Sequence, residues 1–186
     1  MFIQTEDTPN PETMKFLPSR EVLGTSQSGD LEFSDAEAAA RSPLAQALLA
    51  IEGVKSVFLG RDFITVTRDA GKDWPALKPA LLTAIMEHFT SGRPVLTNGE
   101  KQEGGNGSGD SEVVQKIRAI LDQQIRPAVA QDGGDIVFHS FEDGVVYLTL
   151  RGACAGCPGA TATLKMGVEK MLQRHIPEVR EVRQKR

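Results

Sequence analysis

Only two cysteines occur in the 186 residues, Cys154 and Cys157, and the chain before Cys154 has none. Two thiols cannot make a disulfide framework, and reducing conditions would keep them as thiols. No apolar run approaches the ~20 residues needed to span a bilayer. The opening Met1–Asp7 carries acids where a secretory signal carries bases, and no apolar h-region follows. These absences predict a cytosolic protein with no membrane partner, or a mitochondrial matrix protein if the chain is a processed eukaryotic one. No basic patch dominates, and the net charge of −4 with a pI of about 5.4 argues against a nucleic-acid partner. The basic residues Arg180, Arg183, Lys185 and Arg186 alternate with Glu178 and Glu181, which reads as a solvated surface. Nothing resembles a nucleophile–base pair, a Walker-type phosphate loop or a nucleotide fingerprint. His88, His139 and His175 are isolated along the sequence and read as packed or surface residues. An enzyme in the turnover sense is therefore not expected.

The composition, 40% hydrophobic and 25% charged, is that of a globular protein of one or two domains. Asn98–Asp110 divides it. This stretch has five glycines and no large apolar residue, so it cannot pack a core and reads as a flexible linker. The expected organisation is a first domain over 1–97, a linker over 98–110 and a second domain over 111–186.

In the first domain, Phe2-Ile3 and Met14–Leu17 are short strand candidates around Thr8-Pro-Asn-Pro, whose proline and asparagine fit a rigid turn better than a recognition loop. Ser42-Pro43 reads as an N-cap followed by proline at the first helical position, with Leu44, Ala47, Leu48 and Ile51 at helical spacing. Val54–Leu59 and Phe63–Thr67 read as a hairpin. Asp73-Trp74-Pro75 opens another helix. Pro79 moves its regular part toward residue 78, and Trp74 reads as core.

In the second domain, Ser111 or Asp110 caps a helix with Val113, Ile117, Ile120 and Leu121 as its stripe, which Pro127 ends or kinks. Asp132-Gly-Gly-Asp135 fits a tight turn better than a metal site. Ile136–Phe141 and Val145–Leu150 flank Asp143-Gly144, a strong hairpin signal. A helix burying Leu164, Val168, Met171 and Leu172 and a short strand near Val179 and Val182 follow. Met166 and Met171, at helical spacing, read as core rather than as ligands.

Both cysteines sit in Gly152-Ala-Cys-Ala-Gly-Cys-Pro-Gly-Ala-Thr161, between a strand and a helix. Two thiolates at this spacing can ligate one soft metal centre from a short loop. The small residues around them let backbone approach a bulky ligand. Pro158 suits a first helical position, which puts the sulfurs at the positive end of a helix and favours thiolate. Zinc and iron–sulfur sites normally take four protein ligands, and this chain supplies two cysteines. Either other residue types complete the site or two chains share one centre across a two-fold axis. A thioredoxin-like dithiol, a zinc shared by two chains and a plain buried cysteine pair are the rival readings. The hairpin leading into the loop, rather than a parallel βαβ unit, weighs against the thioredoxin-like one.

Gly152-Ala-Cys-Ala-Gly-Cys-Pro158, preceded by Arg126-Pro-Ala-Val-Ala-Gln-Asp-Gly-Gly-Asp135, closely resembles the NifU C-terminal domain of iron–sulfur cluster scaffold and carrier proteins. Gln4-Thr-Glu-Asp-Thr-Pro-Asn-Pro-Glu-Thr-Met-Lys-Phe16 resembles the N-terminal domain of the Nfu subgroup. The resemblance implies two α+β domains, the second ordered helix–hairpin–helix–strand with the two-cysteine loop. It also implies an iron–sulfur cluster, 4Fe–4S, bridging a cluster-dependent homodimer through Cys154 and Cys157 of each chain. Partners would be an upstream cluster donor and apo iron–sulfur clients. The domain over 1–97, which has no thiolates to offer, would serve recognition. The reading from another class is a thiol–disulfide oxidoreductase using the same dithiol.

Overall fold

A computed structural model describes residues 2–23, 31–97, 111–155 and 158–185, without the side chains of 158–160. The expected linker over 98–110 lies outside these residues. The chain divides into two compact units, Met1–Gly104 and Gly105–Arg186, each mixing helix and sheet.

The first unit is built on five strands: β1 (Gln4–Asp7), β2 (Thr13–Leu17), β3 (Leu31–Phe33), β4 (Val54–Leu59) and β5 (Ile64–Arg68). They form an antiparallel sheet in the order β1-β2-β5-β4-β3. Helices α1 (Pro43–Leu49) and α2 (Trp74–Thr90) join the sheet in one core that includes Phe16, Phe33, Leu44, Leu48, Leu59, Ile64, Leu81 and Ile85. The first strand begins at Gln4 rather than at Phe2, which is 74% exposed. Thr8-Pro-Asn-Pro is the turn between β1 and β2. Thr8 Oγ1 donates to the carbonyls of Asn10 and Thr13 at 2.9 and 3.0 Å, and Asn10 Oδ1 accepts from Glu12 N at 3.0 Å. The indole N–H of Trp74 donates to the Pro11 carbonyl at 3.2 Å, so the tryptophan packs against this turn.

Ser42 caps α1, its Oγ accepting from Ala45 N at 3.1 Å while donating to the Val95 carbonyl at 2.7 Å. Ala45, not Ala47, is the buried alanine of the helix. The regular part of α2 begins at Trp74, not near residue 78, and Pro79 lies inside it. The Asp73 carbonyl already closes the first turn by accepting from Ala76 N and Leu77 N, both at 3.2 Å. Burial of Leu77, Leu81, Ile85 and His88 on either side of Pro79 then outweighs the one backbone hydrogen bond that proline removes.

In the second unit, α3 (Glu112–Ile120) starts at Ser111, whose Oγ accepts from Val114 N at 3.4 Å. It passes through a π-helical turn over Leu121–Ile125 into α4 (Arg126–Gln131). Pro127 thus does not end the helix, and the irregularity expected there takes the form of the π-helical turn just before it. The widened turn before it takes up the ring and the missing N–H. Strands β6 (Gly134–Glu142) and β7 (Val145–Gly152) form a hairpin whose turn residues, Asp143 and Gly144, have φ of 51° and 82° as a type I′ turn requires. Helix α5 (Pro158–His175) leads to β8 (Glu181–Gln184), which pairs with β7 in parallel. The sheet order is β6-β7-β8. The core gathers Ile117, Leu121, Ile125, Ile136, Leu148, Val168, Leu172 and Val182. Met166, expected in the core, is 57% exposed. A helix can shelter only one face on so small a sheet, and Val168 and Leu172 occupy it.

The parallel β7–α5–β8 arrangement corrects one expectation. The strand before the cysteine loop belongs to a hairpin on one side and to a βαβ unit on the other. Topology therefore does not separate a cluster-binding loop from a dithiol redox site.

Candidate functional site

The chain leaves β7 at Gly152, whose φ of 65° turns it out of the sheet, and passes through Ala153 to Cys154. Cys154 is only 6% exposed and belongs to the core of its unit. Cys154 thus lies inside its unit rather than on an open surface loop. Cys157, the second predicted ligand, lies outside the described residues. The Cys154 carbonyl accepts from Thr161 Oγ1 at 3.1 Å, which ties the loop to the first turns of α5.

A second segment meets this loop. Asp132-Gly-Gly-Asp135 carries the chain from α4 into β6, with Gly133 at a φ of 78° and its N–H bonded to the Ala130 carbonyl at 3.0 Å. The Gly133 carbonyl accepts from Ala153 N at 3.1 Å. Gly134 pairs with Gly152 across the hairpin. It passes so close to the cysteine that a Cβ added there would stand 2.7 Å from Cys154 Sγ and 2.8 Å from the Arg151 carbonyl oxygen. Only glycine fits without displacing one of them.

Asp135 follows Gly134 and is 2% exposed. Its carboxylate accepts from Arg126 Nε and from an Arg126 terminal nitrogen, each at 2.9 Å, so the pair is bidentate. A further Arg126 nitrogen donates to Asp122 at 3.2 Å. The turn reading of Asp132–Asp135 fits this arrangement, with Asp135 committed to arginine. Sequence spacing gave no sign that Arg126 and Asp135 pair, nor that Gly134 backs the thiol. The contacts arise because α4 and β6 double back on each other.

The histidines lie elsewhere. His88 is buried in α2, and burial first, then Arg93, holds its imidazole below the ordinary histidine range. His139 on β6 shares a 2.8 Å hydrogen bond with Thr149 Oγ1 and is also shifted down, by burial first and then by Lys185 and Arg151. Among the described residues, no group of three or more His, Cys, Asp or Glu side chains is placed to hold a metal ion. No helix among them is long and apolar enough to cross a membrane.

Residues 3–92 match the family described as scaffold protein Nfu/NifU N terminal, and residues 117–183 match the NifU-like domain. The chain is 51% identical over 186 residues to the human NFU1 iron-sulfur cluster scaffold homolog, mitochondrial, covering 99% of this chain and 72% of that protein. It is 48% identical over 185 residues to the protein of the same name from Drosophila sechellia, covering 99% of this chain and 65% of the fly protein. The chain therefore spans about two thirds of the length of its fly relatives. Among solved structures, a NifU-like protein from Saccharomyces cerevisiae superposes with a TM-score of 0.47 at 29% identity, over 53% of this chain and 86% of that one.

Proposed function

Because the chain belongs to the Nfu family of iron–sulfur cluster scaffold proteins, we propose that Cys154 and Cys157 of two chains hold one 4Fe–4S cluster and pass it to apo iron–sulfur proteins. The cluster is cargo, received from an upstream donor and released to clients, and no turnover chemistry is assigned to the protein. Residues 111–186 form the cluster-binding domain, 98–110 a linker and 1–97 a recognition domain.

The observation that carries this reading is the convergence of two segments on Cys154. The Gly133-Gly134 turn seats the loop through the Ala153–Gly133 hydrogen bond and the close approach of Gly134 to the thiol. A sulfur of known position on an ordered backbone suits a ligand that must bind a preformed inorganic centre. A four-thiolate centre with two cysteines per chain requires two chains. Transfer then proceeds by ligand exchange: an acceptor thiolate takes one iron coordination position as Cys154 or Cys157 leaves it.

The human and Drosophila sechellia relatives are named mitochondrial. This supports the matrix over the cytosol as the working location.

The β7–α5–β8 unit is equally compatible with a rival reading, a dithiol–disulfide exchange site at the strand-to-helix junction. One experiment addresses both. Anaerobic reconstitution with iron and sulfide is expected to give charge-transfer absorbance in the visible range and cluster transfer to an apo-ferredoxin. Reconstituted protein without iron, which instead reduces a disulfide substrate catalytically, would establish the rival.

A further inference from the structure

The Arg126–Asp135 pair is half-buried: the Arg126 side chain is 37% exposed while that of Asp135 is almost completely covered. Both carboxylate oxygens of Asp135 are bonded at 2.9 Å, and its side chain is 3% exposed. Taking the Asp135 carboxylate out of water is costly, and part of what the fork gains goes to offset that cost. What an arginine–carboxylate fork adds is direction, because two parallel bonds fix the angle between the groups as well as their distance. Here the guanidinium is itself oriented by Asp122 at 3.2 Å, one helical turn before Arg126. The π-helical turn Leu121–Ile125 delivers Arg126 to this position at the start of α4. Asp135 is the next residue after Gly134, which stands against the Cys154 sulfur.

We infer that the Arg126–Asp135 fork is a positioning device for Cys154: it locks the start of β6 to α4, so that Gly134 and the Gly133 carbonyl hold the thiol in one place. Arg126 and Asp135 are thus positioning residues acting through the backbone of residues 133–134, with no contact to the cargo. The inference goes beyond the proposed cluster site and rests on it only for its effect on cargo. The packing of Cys154 in the apo protein is affected whether or not a cluster binds.

The test compares Arg126→Lys, Asp135→Asn and the apolar double variant Arg126→Met/Asp135→Leu in the full chain. Three readouts are taken: thermal unfolding, the alkylation rate of Cys154 by iodoacetamide in a Cys157→Ser background, and the lifetime of the reconstituted cluster against an iron chelator. The double variant is expected to unfold within a few degrees of the parent, because removing both partners together leaves no uncompensated buried charge at 135. Its Cys154 is expected to alkylate about tenfold faster, since local opening no longer works against a fixed backbone, and its cluster to be lost correspondingly faster. Arg126→Lys keeps the charge without the fork and should fall between. Asp135→Asn checks the same point from the other partner. A double variant with parental alkylation and cluster lifetime would overturn the inference. So would loss of thiol protection only in proportion to lost thermal stability across all three variants, since that is a structural role and nothing more. A parent that binds no cluster, with variants that still alkylate in the expected order, would remove the cluster reading and leave the positioning role standing.

Discussion

Gly134 and Cys154 are in direct contact across the loop, with room for a hydrogen and no room for a methyl group. A Cβ at 134 would lie 2.7 Å from Sγ, and the Arg151 carbonyl at 2.8 Å blocks the retreat. Because the obstructing atoms include backbone, relaxation has to move the strand or the thiol.

Gly134→Ala is accordingly expected to cost about 1–3 kcal/mol of stability and to lower cluster occupancy after anaerobic reconstitution by more than that loss of folded protein explains. Gly167→Ala is the control. Gly167 lies within α5 with nothing within 4 Å of an added Cβ, so alanine there should stabilise by about 0.5–1 kcal/mol. Thermal melts and iron per protein on the two variants check both. An unchanged iron content in folded Gly134→Ala would show that thiol position does not govern cluster binding.

The difference between those two glycines was not legible in the sequence. Gly134 stands in a run that reads as a turn, and its demand comes from a cysteine 20 residues away that only the hairpin register brings near. Local chemistry fared better. The Ser42 cap, the Asp143-Gly144 turn and the Thr8-Pro-Asn-Pro turn are each decided by a few neighbouring atoms, and each appears where its residues predict. Neither proline ends its helix. Pro79 is outvoted by a buried stripe, and Pro127 is absorbed by a π-helical turn. Strand β3 is three residues long, too short for any periodicity to register. The parallel partner β8 is a tertiary fact, set by where α5 returns the chain. The burial of Cys154 was not legible either: the small residues of its loop read as room for a ligand, yet they also let the backbone close over a thiol.

Ser42 tests whether the two units act separately. It is fully buried, caps α1 through Ala45 and donates to Val95. Ser42→Ala removes a cap, worth about 1 kcal/mol, and leaves the Val95 carbonyl without that donor, a further ~1 kcal/mol or more. The unfolding transition of residues 1–97 should move down while cluster content of the full chain stays at the parental level. A parallel fall in cluster content would argue that the first unit supports the cysteine site.

His88 gives the first unit a pH dependence of definite sign. The imidazole is 5% exposed and its titration is shifted down by burial, with Arg93 adding to the effect. The unfolded chain therefore takes up a proton before the folded one does as pH falls. Stability contributed by the neutral ring is complete above the unfolded value of about 6.5 and is lost as pH falls from there toward the lower folded value. Thermal midpoints at pH 7.5 and pH 5 should differ more for the parent than for His88→Phe. The outcome that defeats this account is an equal pH response in the two proteins.

The strongest test of the proposed function is coupling between ligand number, iron and assembly. Each chain has Cys154 and Cys157 and no other cysteine, so a cluster with four thiolate ligands must draw on two chains. Reconstituted protein should contain about four irons per dimer, and iron content and dimer fraction should rise together in native mass spectrometry. Cys154→Ser and Cys157→Ser should each remove most of the cluster and the dimer. The apo protein should stay folded, with some loss of stability for Cys154→Ser, which puts a hydroxyl where the sulfur lies in the core. Residues 111–186 should retain the cluster and residues 1–97 should bind none. Mixing with an apo acceptor should then move the cluster and return the protein to its apo assembly state, since losing either subunit removes half the ligands at once. A monomer that keeps a full cluster refutes sharing between chains. A dimer that keeps its cluster in the presence of acceptor and free thiol preserves the site but not the delivery.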